Sequence, residues 1–167
     1  EKITTFDIPN KVGGRYSVLS SVGLVPIALA GIDISAMLKG AKEMRDSLKK
    51  AKGMFNDALA LASLQHLMDK KQKRNMVVLM PYSTKLGKIS DWYKQLLSES
   101  IGKNKNSGPT PINAIGTTDQ HSQLQLFIDG PDDKFIIFIK VNKFKNDPKI
   151  GEYLPKELSF LHGKKIS

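Results

Sequence analysis

Two short apolar runs constrain the fold of this 167-residue chain more than any other feature. The first covers residues 76–80 and is closed by Pro81, and the second covers residues 135–141. Runs with so little polar alternation are typical of strands that are buried on both faces of a parallel sheet. Helical patterns separate the two runs. We therefore predict an α/β fold, a three-layer α/β/α sandwich around a mostly parallel sheet.

Four segments have helical patterns, and a fifth helix is predicted to begin near Thr117. Residues 35–52, 54–71 and 86–101 repeat apolar side chains at steps of three and four, as amphipathic helices do. A fourth segment, residues 16–31, is small and apolar on all sides, which predicts a helix covered by its neighbours. Two further segments have other patterns: residues 3–8 predict a short strand and residues 104–110 a loop.

The composition excludes several kinds of site. There is no cysteine, and the three histidines lack the spacing of metal ligands, so we expect no metal and no cofactor. No apolar stretch is long enough for a membrane span, and we expect a cytoplasmic protein with no membrane partner. The net charge of +10 could help to capture an anion. The basic residues are widely spread and aromatic platforms for bases are scarce, so we expect no nucleic-acid partner.

The helical segment 86–101 carries one carboxylate on its apolar face. Glu99 follows Trp92 by seven residues, which leaves the two side chains about 20° apart around a helix. Partial burial and the helix C-terminus would both disfavour the charged carboxylate, so Glu99 suits the role of a general base near neutral pH. The alternative is a frayed helix end, with Glu99 exposed and paired with Lys103.

An imidazole lies at the start of another predicted helix. Thr117 or Thr118 can cap this helix, which places His121 in its first turn and on the same face as Ile128. A helix N-terminus favours a neutral imidazole, and a neutral imidazole can accept a proton or pass one on. The alternative is a core histidine bonded to a backbone carbonyl.

A glycine-rich loop supplies the third polar cluster. Gly13 and Gly14 allow the backbone to approach a ligand closely, and Arg15 then places a guanidinium at the mouth of the apolar helix. The alternative is an ordinary turn. The glycine spacing fits neither a Rossmann loop nor a Walker loop.

Together the three clusters resemble motifs of the glucose-6-phosphate isomerase family. The matching segments are residues 12–20 (VGGRYSVLS), 95–103 (QLLSESIGK) and 116–123 (GTTDQHSQ), and the likeness runs from about residue 5 to residue 141. Members interconvert glucose 6-phosphate and fructose 6-phosphate through an enediolate. The resemblance implies that residues 1–167 form the second sugar-isomerase (SIS) domain of a larger enzyme, truncated at both ends.

The resemblance also implies a role for each site residue. Glu99 would shuttle hydrogen between C1 and C2 of the sugar, and His121 would help to open its ring. Arg15 would stabilise the cis-enediolate, with the backbone of Gly14 near the sugar. We assign Gln120 to substrate binding as well. We expect Glu99, His121 and Arg15 to converge in one hollow.

Partners follow from the same resemblance. The family builds its active site between domains and across a dimer, so we expect a homodimer, contact with an N-terminal SIS domain, and a hexose 6-phosphate substrate. This chain alone should be inactive, because the phosphate-binding loop and C-terminal lysine of the family lie outside it. Two alternatives stay open: a non-catalytic sugar-phosphate-binding SIS module, and nucleic-acid binding with a steep salt dependence.

Overall fold

A computed structural model describes residues 3–144, 146–151 and 153–165. Its centre is a three-stranded, all-parallel sheet in the order β2–β1–β3, formed by β1 (Met76–Pro81), β2 (Thr110–Asn113) and β3 (Lys134–Ile139). The α-helices of the described residues are α1 (Ser21–Leu29), α2 (Ile34–Lys50), α3 (Asp57–Lys70), α4 (Gly87–Ile101) and α5 (Thr118–Asp129). Short 3₁₀ helices cover Gly14–Leu19, Gly53–Phe55, Thr84–Leu86 and Lys156–Leu161. The predicted α/β class with a parallel sheet is confirmed.

Strand β1 forms the middle of both the sheet and the core. Its residues from Val77 to Pro81 are buried, as the uninterrupted apolar run predicts. Val78 and Met80 lie in one cluster with Phe127 of α5. Helix α4 connects β1 to β2, whereas α5 returns past β1 to β3, so right-handed crossovers place the two helices on opposite faces of the sheet. This gives the predicted three layers.

The remaining elements show where the sequence patterns are misleading. Residues 3–8 form no strand and are exposed, so the predicted strand is wrong. Strand β2 was not predicted, because its four residues include Pro111 and follow the loop-like segment. Proline is tolerated in β2 because this strand lies at the edge of the three-stranded sheet. Helix α3 begins at Asp57, three residues later than predicted.

The apolar segment 16–31 is not one buried helix. It is split at Ser20, which ends the 3₁₀ helix of Gly14–Leu19 and caps α1. Gly23 allows the two pieces to pack, because a Cβ there would lie 2.1 Å from the carbonyl oxygen of Val18. No residue of α1 is buried against the described part of the chain, which corrects the prediction of a covered helix.

The direction of α4 determines which edge of the sheet each polar cluster occupies. Because β1 and β2 are parallel, α4 must return from the carboxyl edge of the sheet to its amino edge. Asn113, at the end of β2, bonds to Asp91 in the first half of α4. Ser107, before β2, donates to the carbonyl of Ile101 at 3.0 Å. The last turn of α4 therefore lies at the amino edge, whereas α5 begins at the carboxyl edge.

No helix in the described ranges is both long and apolar enough to cross a bilayer.

Candidate active site

The 3₁₀ helix that begins at Gly14 meets the last turn of α4 through Arg15. Its Nη1 donates to Glu99 Oε2 at 3.3 Å, and its Nε donates to Ser100 Oγ at 3.1 Å. Gln95, one turn earlier in α4, donates from Nε2 to Glu99 Oε1 at 3.0 Å. Both oxygens of the carboxylate therefore accept a hydrogen bond, and these bonds fix its orientation.

Two aromatic side chains hold Arg15 in place. The guanidinium carbon lies 4.7 Å from the centre of the Tyr16 ring, within the range of a cation–π contact. The Tyr16 hydroxyl lies 2.9 Å from Ser100 Oγ, and this hydrogen bond together with the neighbouring Arg15 cation lowers the pKa of the Tyr16 phenol. Trp92 Nε1 donates to the backbone carbonyl of Arg15 at 3.0 Å. Both the backbone and the side chain of Arg15 are thus anchored to α4.

The surroundings of Glu99 differ from both interpretations of the sequence. Glu99 and Trp92 share a face of α4, but the Glu99 side chain is 49% exposed and Trp92 is 41% exposed. The expected burial is wrong because this face is turned towards the Arg15 segment instead of the sheet. The alternative pairing also fails, since Lys103 Nζ donates to the backbone carbonyl of Glu99 at 2.6 Å and not to its carboxylate. Lys103 thereby satisfies a free carbonyl at the helix end.

His121 lies at the carboxyl edge of the sheet, away from Glu99 and Arg15. It is exposed, and Ile128 on the same helical face is 69% exposed, so the alternative of a core histidine is wrong. Most of the length of α4, about 20 Å, separates the two edges. The expected convergence of all three groups in one hollow is therefore not found within a single chain.

The start of α5 is held by side chains other than the predicted threonine cap. Thr117 is the N-cap residue but makes no side-chain cap hydrogen bond. Instead, the Asp119 carboxylate accepts from the backbone N–H of Ile115 at 2.6 Å, which fixes the loop entering the helix.

Gln120 belongs to a small cluster beside His121. The Tyr82 hydroxyl, just after β1, donates to Gln120 Oε1. The Tyr82 ring also packs on Gly116, where a Cβ would lie 2.7 Å from ring carbons, so only glycine fits there. The Gln120 amide NH₂ has no hydrogen-bond partner in the described parts of the chain and is available to a ligand.

Two grooves lie next to these clusters without including their charged groups. One of about 370 Å³ is lined mainly by α3 and the end of α4, and one of about 320 Å³ lies at the start of α4. Arg15, Glu99 and His121 line neither groove. Among residues 3–144, 146–151 and 153–165, no group of three or more His, Cys, Asp or Glu side chains could hold a metal ion.

The charged cluster at the amino edge has a definite chemical capacity. A carboxylate held at both oxygens can remove a proton from carbon when the acceptor is well oriented. A neighbouring guanidinium can stabilise the oxyanion that proton removal creates. The arrangement of Arg15 and Glu99 thus suits proton transfer through an anionic intermediate.

Sequence reasoning missed the side chains that orient this pair. Gln95, Ser100 and Tyr16 were not singled out as site residues, and Trp92 was used only to orient the helix. The spacing of four between Gln95 and Glu99 was a usable signal, because residues four apart share a face of a helix. The contacts of Ser100 with Arg15 and Tyr16 depend on tertiary packing, and no local pattern indicates them.

Comparison with known proteins identifies the family. A family model described as phosphoglucose isomerase matches residues 1–155. A glucose-6-phosphate isomerase of Carboxydothermus hydrogenoformans is 43% identical over 96% of this chain and 36% of its own length. A probable glucose-6-phosphate isomerase of Methanococcus maripaludis is 47% identical over 90% of this chain and 35% of its own length. The chain thus spans about a third of the length of these curated relatives.

A solved structure supports the same fold. The crystal structure of a hypothetical protein from Thermus thermophilus superposes with a TM-score of 0.84 at 38% sequence identity. The match covers 95% of this chain and 39% of that chain. Almost all of the present fold is therefore contained within a longer protein of known structure.

Proposed function

Because the chain belongs to the phosphoglucose isomerase family, we propose that it forms the second SIS domain of an enzyme that interconverts glucose 6-phosphate and fructose 6-phosphate. The observation that carries this proposal is the contact between Arg15 and Glu99, 84 residues apart in the sequence and 3.3 Å apart in space. This contact joins a carboxylate and a guanidinium, a pair of groups that would support proton transfer on a sugar carbon. An N-terminal SIS domain would supply the phosphate site.

The proposed reaction uses Glu99 for both proton transfers. Glu99 removes the proton from C2 of the open-chain aldose, and the electrons of that bond form the C1–C2 double bond of an enediolate. The Arg15 guanidinium stabilises the negative oxygen, and such preorganised charge is often the largest single contribution to catalysis. Glu99 then returns its proton to C1 while the proton of O2 moves to O1, which leaves a ketone at C2.

Ring opening is assigned to His121. It requires a proton to leave the O1 hydroxyl and a proton to reach the ring oxygen, and imidazole can do both near neutral pH. His121 and Glu99 lie at opposite edges of the sheet in one chain. We therefore propose that each site of a homodimer combines Glu99 and Arg15 of one subunit with His121 of a second copy.

The two remaining site residues fit this arrangement. A Cβ at Gly14 would meet nothing within 4 Å, so the backbone beside Arg15 is open to a sugar hydroxyl. Gln120 would enter the site together with His121, because the two are adjacent at the start of α5. An enzyme that acts on hexose phosphates in central metabolism would work in the cytoplasm.

The test measures isomerisation together with loss of the C2 hydrogen of the substrate. The complete polypeptide is incubated in heavy water with glucose 6-phosphate that carries ordinary hydrogen at C2. We expect fructose 6-phosphate to form with deuterium incorporated at C1, because the enediolate exchanges its proton with the solvent. Sugar-phosphate binding without exchange would contradict the proposal and favour a non-catalytic SIS module.

A further inference from the structure

We propose that Ser100 and Tyr16 are positioning residues that set the orientation of the Arg15 guanidinium towards the substrate. This inference rests on the proposed function, in which Arg15 stabilises the enediolate. A guanidinium is a planar fork, so its catalytic value depends on the direction in which its unused N–H groups point. The proposed role of Arg15 therefore depends on the contacts that fix the plane and the rotation of its guanidinium.

Three contacts restrain the Arg15 guanidinium from three directions. Ser100 Oγ accepts from Nε at 3.1 Å on one edge, and Glu99 Oε2 accepts from Nη1 at 3.3 Å on another. The Tyr16 ring supports one face, 4.7 Å from the guanidinium carbon. Nη2 has no hydrogen-bond partner within the described ranges, so its two N–H groups and the second N–H of Nη1 are left for a substrate oxygen.

Ser100 and Tyr16 act as one unit. The Tyr16 hydroxyl lies 2.9 Å from Ser100 Oγ, so the serine hydroxyl contacts both the cation and the ring that supports it. The backbone of Arg15 is held separately, by the bond from Trp92 Nε1 to its carbonyl at 3.0 Å. Removal of the Ser100 hydroxyl should therefore release the guanidinium without displacing the 3₁₀ helix that carries it.

The experiment compares Ser100→Ala with Ser98→Ala in the complete enzyme. Ser98 is an exposed serine of the same helix, and its hydroxyl has no partner among the residues described. For Ser100→Ala we expect kcat to fall about tenfold while KM stays within about twofold, because the contact matters most when charge develops on the substrate oxygen. The affinity for a hydroxamate analogue of the enediolate should fall by about the same factor as kcat. Ser98→Ala should leave all three quantities unchanged.

Two further variants separate positioning from general damage. Ser100→Thr keeps the hydroxyl and should restore most of kcat. Tyr16→Phe keeps the supporting ring and should lower kcat by a smaller factor than Ser100→Ala. A wild-type kcat for Ser100→Ala, or a parallel rise in KM, would overturn the inference. If Ser100→Ala does not fold, an unchanged kcat for Tyr16→Phe overturns it and a fall at constant KM supports it.

The result also separates this inference from the function on which it depends. A wild-type enzyme that binds glucose 6-phosphate but does not isomerise it would refute the proposed function. An active wild-type enzyme with an unaffected Ser100→Ala variant would refute only the positioning role.

Discussion

The Arg15 guanidinium and the Glu99 carboxylate form an ion pair, with 3.3 Å between Nη1 and Oε2. Their side chains are 24% and 49% exposed, so water screens the attraction and the pair contributes little to folding stability. The pair instead determines the relative positions of the two side chains. It places the proposed base beside the group that would stabilise the anion formed by proton abstraction.

Replacement of Glu99 by glutamine should therefore affect chemistry much more than folding. In the complete enzyme, Glu99→Gln should lower kcat for isomerisation by about 10²–10⁴-fold, because an amide cannot take the proton. Its oxygen can still accept from Arg15, so the free energy of unfolding should change by no more than about 0.5 kcal/mol. Steady-state kinetics and urea unfolding measure these two effects. Near-normal turnover would remove Glu99 from the mechanism.

His121→Ala should show a defect that depends on the form of the substrate. If the imidazole serves ring opening, the loss of activity should be large on the cyclic sugar phosphate and smaller on substrate supplied in the open-chain form. Rapid-mixing assays on both forms measure the difference. Equal losses on the two forms would reject the ring-opening role.

The position of His121 at the opposite edge from Glu99 yields a complementation experiment. A heterodimer of one Glu99→Gln subunit and one His121→Ala subunit contains one intact site if each site draws on both subunits. Random reassociation of the two inactive variants should then restore about a quarter of wild-type activity, because half of the dimers carry one working site of two. Each variant unfolded and refolded alone is the control. Activity that stays at the level of the separate variants would place both residues in one subunit.

A substitution in the core of the sheet should lower folding stability much more than the same substitution at the surface. Met80 is buried in β1 against Val78 and Phe127, so Met80→Ala should lower the free energy of unfolding by about 2–5 kcal/mol. Met44 in α2 is 48% exposed and provides the same chemical change without a cavity. Urea-unfolding midpoints of the complete polypeptide should show a large shift for Met80→Ala and a small one for Met44→Ala. Equal shifts would contradict the described core.

The elements that the sequence predicts well are those with a local signal. The apolar run of β1 and the periodic apolar faces of α2 and α4 depend on residues close in sequence, and all three elements were predicted within a few residues. Strand β2 has four residues and one proline, so its extended form depends on pairing with β1. Residues 3–8 have a strand-like composition but pair with no strand of the described chain. In both cases, pairing with another strand decides whether the segment forms a strand. The composition of the segment does not indicate whether that pairing occurs.

The candidate site also has features that local sequence predicts and features that depend on tertiary structure. Helical spacing correctly relates Glu99 to Trp92, because seven residues nearly complete two turns. Whether that face is buried depends on the segment packed against it, and here that segment is the 3₁₀ helix that carries the partly exposed Arg15. The separation of His121 from Glu99 follows from the direction of α4 across the sheet, a property of topology that neither motif contains.

Tyr93 provides a final prediction, on the alkaline side. Burial raises the pKa of its phenol above the ordinary value of 10.0, while its hydroxyl donates to Gln65 Oε1. The folded state thus holds the proton more tightly than the unfolded state, so stability is full below about pH 10 and falls as the pH rises above it. Tyr93→Phe should flatten this decline, and Tyr153→Phe, at a fully exposed position, is the matched control. Urea-unfolding midpoints between pH 8 and about pH 11 measure the effect, and an identical decline in wild type and Tyr93→Phe would contradict it.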